Sequence, residues 1–71
     1  MKKDIVYQFG LRVRALRKAH NLTQEQLAGA SGISLKYIQR IEGKTPPNLG
    51  LEYLEKLSIG FDIPLHELLK I

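Results

Sequence analysis

Lys36, Gln39 and Arg40 are the side chains of this 71-residue chain whose types and spacing best suit a chemical task. That task is reading nucleic acid. Lys, Arg and Gln side chains reach base edges from a helix lying in a major groove, and a leucine such as Leu35 can touch a thymine methyl. Lys36 and Arg40 stand four residues apart, so a helix projects them from one face, with Gln39 at its border. The helix that starts after Ser34 also presents free N–H groups suited to a phosphate. The same residues allow plainer assignments: a solvated face for Lys36 and Arg40, a core edge for Leu35, and packing across a turn for Tyr37. Other chemistry is poorly served. His20 and His66 have no neighbour at metal-ligand spacing and there is no cysteine, so no metal site is expected. Neither GxGxxG nor a P-loop pattern occurs, and the scattered carboxylates form no nucleophile–base arrangement. A chain this small also leaves little room for a cleft, so neither an enzyme nor a cofactor is expected.

The stretch that must position these residues runs from Thr23 to Glu42, TQEQLAGASGISLKYIQRIE. Thr23 with Gln26 three residues later forms a capping box, which starts a helix at 24–30. Leu27, Ala28 and Ala30 give it a small apolar stripe. Ser31-Gly32 interrupts the pattern, and Gly32 can take the left-handed conformation that a turn between crossed helices needs. Ile33 returns to the core, Ser34 supplies a second N-cap, and Ile38 and Ile41 line the inner face of a helix at 34–42. The result is a helix-turn-helix reading.

Before it, Met1 to Asp4 is expected as a frayed start, with Asp4 able to cap a helix at 5–20. Ile5, Phe9, Val13 and Leu16 give that helix an inward face, with Val6 and Leu11 flanking. Gly10 weakens its interior by about 1 kcal/mol relative to alanine, which a close helix crossing would explain. Asn21 is the expected left-handed residue at its end. After Glu42, the pair Pro46-Pro47 excludes a helix and holds Thr45 and Pro46 extended. Leu51, Leu54, Leu57, Ser58 and Phe61 predict a helix at 51–60 with an inward face, leaving Glu52, Glu55 and Lys56 wet. Pro64 then opens a short final helix at 65–70. The chain reads as one all-α domain, residues 1–71, with five helices.

Charge is uneven along the chain. Lys2, Lys3, Arg12, Arg14, Arg17, Lys18, Lys36, Arg40 and Lys44 stand against only Asp4, Glu25 and Glu42 up to residue 44. From Thr45 onward two lysines face Glu52, Glu55, Asp62 and Glu67. Such asymmetry fits one end facing a polyanion and the other facing protein, or else ordinary surface charge. No apolar run is long enough to span a bilayer or to serve as a signal peptide, so no membrane partner and a cytoplasmic setting are expected.

Taken together, FGLRVRALRKAHNLTQEQLA, SGISLKYIQRIEGK, LEYLEKLS and FDIPLHELL resemble the Cro/repressor-type helix-turn-helix family. These are the compact five-helix DNA-binding domains of lambdoid phage repressors and many small bacterial regulators. The resemblance runs from about Phe9 to Leu69. It implies a sequence-specific regulator that binds a palindromic duplex operator as a homodimer, of phage-repressor or restriction–modification-controller type. It further implies that Leu35, Lys36 and Arg40 read bases, and that Gln24 holds the DNA backbone and braces them. Ser34 and Tyr37 fall where relatives touch phosphate, Gln39 borders the reading face, and Lys44, Thr45 and Asn48 lie in a loop that follows the backbone. Arg17 and Glu42 match a pair that forms a largely buried salt bridge in several relatives. The chain departs from the family in running directly Glu42-Gly43-Lys44, and in a slightly longer Pro46-Pro47-Asn48-Leu49-Gly50 loop.

Leu65, Leu69 and Ile71 cannot all point inward together with Leu68, given 3.6 residues per turn. Their surplus suggests a homodimer contact, or else the closing of the bottom of a monomeric core. A protein-interaction module on the same scaffold, or the DNA-binding domain of a longer protein, are the alternative functions, because a fold alone does not fix a function. No small-molecule effector is inferred.

Overall fold

In the computed structural model, which describes residues 4–71, helices α1 (Ile5–Ala19), α2 (Gln24–Ser31), α3 (Leu35–Ile41), α4 (Leu51–Phe61) and α5 (Leu65–Leu68) follow one another. The expected frayed start concerns residues 1–3, which lie outside the described residues.

Local chemistry sets the first three starts. Asp4 accepts a hydrogen bond from the Val6 N–H, and Ser34 accepts one from Tyr37. Thr23 and Gln26 form a full capping box, each side chain accepting from the other's backbone N–H. Gly32 turns the chain between α2 and α3 at φ 78°, the left-handed region that suits a residue without Cβ. Asn21 and Asp62 take the same conformation after α1 and at the end of α4, as short polar side chains can.

Ten apolar residues form the core: Phe9, Val13 and Leu16 from α1, Leu27 from α2, Ile33 from the turn, Ile38 and Ile41 from α3, Leu57 and Phe61 from α4, and Leu68 from α5. Two glycine contacts let the helices close on this core. A Cβ on Gly10 would collide with the backbone carbonyl of Ile41, so α1 crosses the end of α3 at backbone distance. A Cβ on Gly60 would lie 2.9 Å from that of Ser31, which lets α4 press on α2.

Three apolar expectations fail, each at the edge of a helix. Ile5 is 65% exposed and Leu51 78% exposed, each as the first residue of its helix. Ala30 is also exposed, which leaves α2 a narrower inner stripe. The last helix stops at Leu68 rather than residue 70. Leu69 is its C-cap, and the Glu67 and Leu68 carbonyls receive the Arg12 side chain, at 2.7 and 3.3 Å.

Candidate nucleic-acid interface

The outer face of α3 stands on a polar anchor beneath it. Arg17 donates from Nε to Glu42 Oε2 at 2.8 Å and from Nη2 to Oε1 at 3.0 Å, a bidentate pair. Its remaining Nη1 donates to the Leu22 carbonyl at 2.8 Å. Gln24 Nε2 donates to Glu42 Oε1 at 3.1 Å. One carboxylate at the C-cap of α3 thus gathers the end of α1, the turn after it and the first residue of α2. The Arg17 and Glu42 side chains are 12% and 3% exposed, so this is an interior contact. The hydrogen bond with Glu42 raises the Arg17 pKa, partly offset by desolvation, and the guanidinium stays charged at any working pH.

With the helix held from behind, Lys36, Gln39 and Arg40 are exposed on its outer side. Leu35 is half-buried, between a free contact residue and a core edge. Tyr37 is not free-standing. It packs against the core, and its ring meets that of Tyr53 with centroids 4.7 Å apart and planes at 35°. The Arg40 guanidinium lies over Tyr37, 5.7 Å from its centroid, and Lys56 Nζ lies 5.5 Å from that of Tyr53. The Ser34 hydroxyl oxygen is engaged in capping α3. Lys44, Thr45 and Asn48 are exposed on the segment between α3 and α4.

The structure forms the Arg17–Glu42 bridge that the family resemblance implies. Arg12, counted among the basic residues of the first half of the chain, is an internal tie as well: it turns toward α5, donates to two backbone carbonyls and stands 3.8 Å from the Glu67 carboxylate. A basic residue in mid-helix cannot be assigned to a face until the crossing partner is known. The Tyr53 and Lys56 contacts were missed for a similar reason. An i,i+3 spacing on α4 marks them as neighbours of each other, but nothing in it points to α3.

Around α5, Leu65, Leu69 and Ile71 are exposed while Leu68 is fully buried. Leu69 and Ile71 border an apolar groove shared with Ile5, Phe9 and Leu54. Among the described residues no group of three or more His, Cys, Asp or Glu is placed to hold a metal, and no helix is long and apolar enough to cross a membrane.

Residues 13–68 match the helix-turn-helix family model. The chain is similar to the uncharacterised helix-turn-helix-type transcriptional regulator y4mF of Sinorhizobium fredii, 40% identical over 57 residues that make up 76% of this chain and 75% of y4mF. Other curated regulators that it matches are longer, and the aligned stretch spans 54% and 45% of two of them. Among solved structures it is similar to the restriction–modification controller protein C.AhdI of Aeromonas hydrophila, with TM-score 0.81 and 38% identity over 89% of this chain and 94% of that one. It is also similar to C.Esp1396I bound to a 19-base-pair DNA duplex, with TM-score 0.82 and 26% identity over 94% and 92% of the two chains.

Proposed function

Because the chain belongs to the Cro/repressor-type helix-turn-helix family of transcriptional regulators, we propose that it binds a specific duplex DNA operator as a homodimer and regulates transcription from it. The observation that carries this reading is the exposed Lys36–Gln39–Arg40 face of α3, backed by the buried Arg17–Glu42–Gln24 contact. A base-reading helix must present its donors without its own backbone giving way, and a carboxylate tied to α1 and α2 provides that.

In this reading Leu35, Lys36 and Arg40 address base edges. Gln24 keeps one amide N–H on Glu42 and offers the other to a phosphate, while Ser34, Tyr37, Gln39, Lys44, Thr45 and Asn48 supply backbone or supporting contacts. The dimer forms through Leu65, Leu69 and Ile71.

Selection of duplexes from a random DNA pool supplies the operator, and a palindromic consensus is the expected outcome. On that operator, Lys36→Ala and Arg40→Ala should each lose about 1–3 kcal/mol of discrimination against scrambled duplex at fixed salt. Equal losses on both DNAs would move the two residues to phosphate contacts. A wild-type protein that selects no sequence would overturn the DNA-reading function.

A further inference from the structure

Four side chains form a continuous ladder across the α3–α4 junction: Arg40, Tyr37, Tyr53 and Lys56. The Tyr37–Tyr53 centroids are 4.7 Å apart, and a cation lies over each end at 5.7 and 5.5 Å. We propose that Tyr53, although it belongs to α4, is a positioning residue for DNA reading: through Tyr37 it holds the Arg40 guanidinium in its reading orientation. This rests on the DNA-binding function proposed above and adds a specificity determinant outside the helix-turn-helix.

The Arg40 side chain is exposed and makes no ion pair or hydrogen bond among the described residues, so the Tyr37 ring is what restrains it. A free arginine side chain loses rotamer entropy when it docks on a base, and a guanidinium already seated over a ring loses less. The ring can act as a seat only if it is itself fixed. Tyr37 stands on a helix of seven residues, and its ring is steadied by the tilted ring of Tyr53. Lys56, on the next turn of α4, lies over Tyr53 and holds that ring in turn through its attraction to it. Arg40 is therefore oriented by a residue thirteen positions further along the chain, on a helix that does not enter the groove.

The test compares Tyr53→Leu, which keeps apolar bulk, with Tyr53→Phe, which keeps the ring. Tyr53→Leu should lose about two- to fivefold in operator affinity, the size of an exposed cation–π contact, with binding to scrambled duplex unchanged. Tyr53→Phe should behave as wild type. In an Arg40→Ala background, Tyr53→Leu should have no further effect. A separate arm needs no DNA: NMR of the free protein should show ring-current shifts and restricted motion at the Arg40 side chain that weaken in Tyr53→Leu. A loss that persists without Arg40, or an Arg40 side chain equally shifted and ordered in Tyr53→Leu, would overturn the inference. A wild type that fails to tell operator from scrambled duplex overturns the function proposed above instead, and the NMR arm still decides whether Tyr53 positions Arg40.

Discussion

The helix-turn-helix and the surface around α5 are built on opposite plans. α2 and α3 each begin at a side-chain cap, and both are tied to α1 by directional bonds that converge on Glu42. α4 and α5 begin at Gly50 and Pro64, residues with no side-chain group able to cap, and rest mainly on the burial of Leu57, Phe61 and Leu68, with the Arg12 bonds to the Glu67 and Leu68 carbonyls as a tie at the very end. The first region leaves polar and basic groups outside, and the second leaves Leu51, Ile59, Leu65, Leu69 and Ile71 outside. Hydrogen bonds fix angles, whereas apolar burial favours contact with little regard for angle. The outer face of α3 is therefore set by caps and by bonds at its end, whereas the surface around α5 rests mostly on burial, with one directional tie through Arg12.

The largest expected effect tests whether the Glu42 contact governs the first region. Arg17→Ala should cost about 3 kcal/mol of stability in a thermal or urea melt, the low end for breaking a buried pair, because Gln24 still donates to the carboxylate. Arg17 has its pKa raised in the folded state, so its contribution is complete below the unfolded pKa and is lost only as pH climbs through the folded one. The gap between wild type and Arg17→Ala should thus stay flat from neutral pH to about pH 10. A gap that shrinks between those limits would assign the stabilisation elsewhere.

Next in size is Gly10→Ala. Helix propensity favours the change, but the new methyl meets the Ile41 carbonyl, and overpacking of this kind costs about 1–3 kcal/mol. A variant that melts above wild type would show that α1 can slide away from α3 at no cost.

Thr23→Ala should cost about 1 kcal/mol through loss of the α2 cap. Gln24→Ala removes one hydrogen bond to Glu42 and should also cost roughly 0.5–1.5 kcal/mol in melts, in addition to weakening operator binding. The bond to Glu42 thus gives Gln24 a part in stability beside the bracing role that the family resemblance implies.

The smallest effect on the folded monomer belongs to the second region. Leu69→Asp should leave monomer stability within about 0.5 kcal/mol, since Leu69 is an exposed cap residue. Sedimentation equilibrium should nonetheless show association abolished. A wild type that stays monomeric at high micromolar concentration would remove the contrast between the two regions. A Leu69→Asp protein that unfolds would place Leu69 in the core.

Caps and turns were legible in the sequence because they are local: Thr23, Gln26, Gly32, Ser34 and Asn21 each act within a few residues. The burial of Leu27, Ile38, Ile41, Leu57 and Leu68 followed from spacing. Of the contacts across helices, the Gly10 crossing was signalled by its cost to the helix and the Arg17–Glu42 bridge by resemblance, and the others escaped. Arg12 looks like one more exposed base until α5 is seen to end beside it. Tyr53 lies outside the inward stripe read for α4, and nothing in its spacing points to Tyr37 on α3. Leu51 carries the right spacing for burial and lacks only a neighbour to bury it. Periodicity defines a face, but the extent of the helix opposite decides whether that face is covered.

The Arg12 contact with the end of α5 has a consequence for the timing of association. Its two hydrogen bonds join residues 55 and 56 positions apart, so they close nearly the whole chain into one loop. Loop closure becomes more costly with length, and a helix of four residues has almost no stability of its own. α5 therefore keeps its place through the Arg12 bonds and the burial of Leu68 rather than through its own helix. If Leu65, Leu69 and Ile71 form the dimer contact, that contact exists only in the docked fraction, and its apparent affinity scales with that fraction. A guanidinium on α1, outside the reading helix, would then set how often two copies meet with competent surfaces.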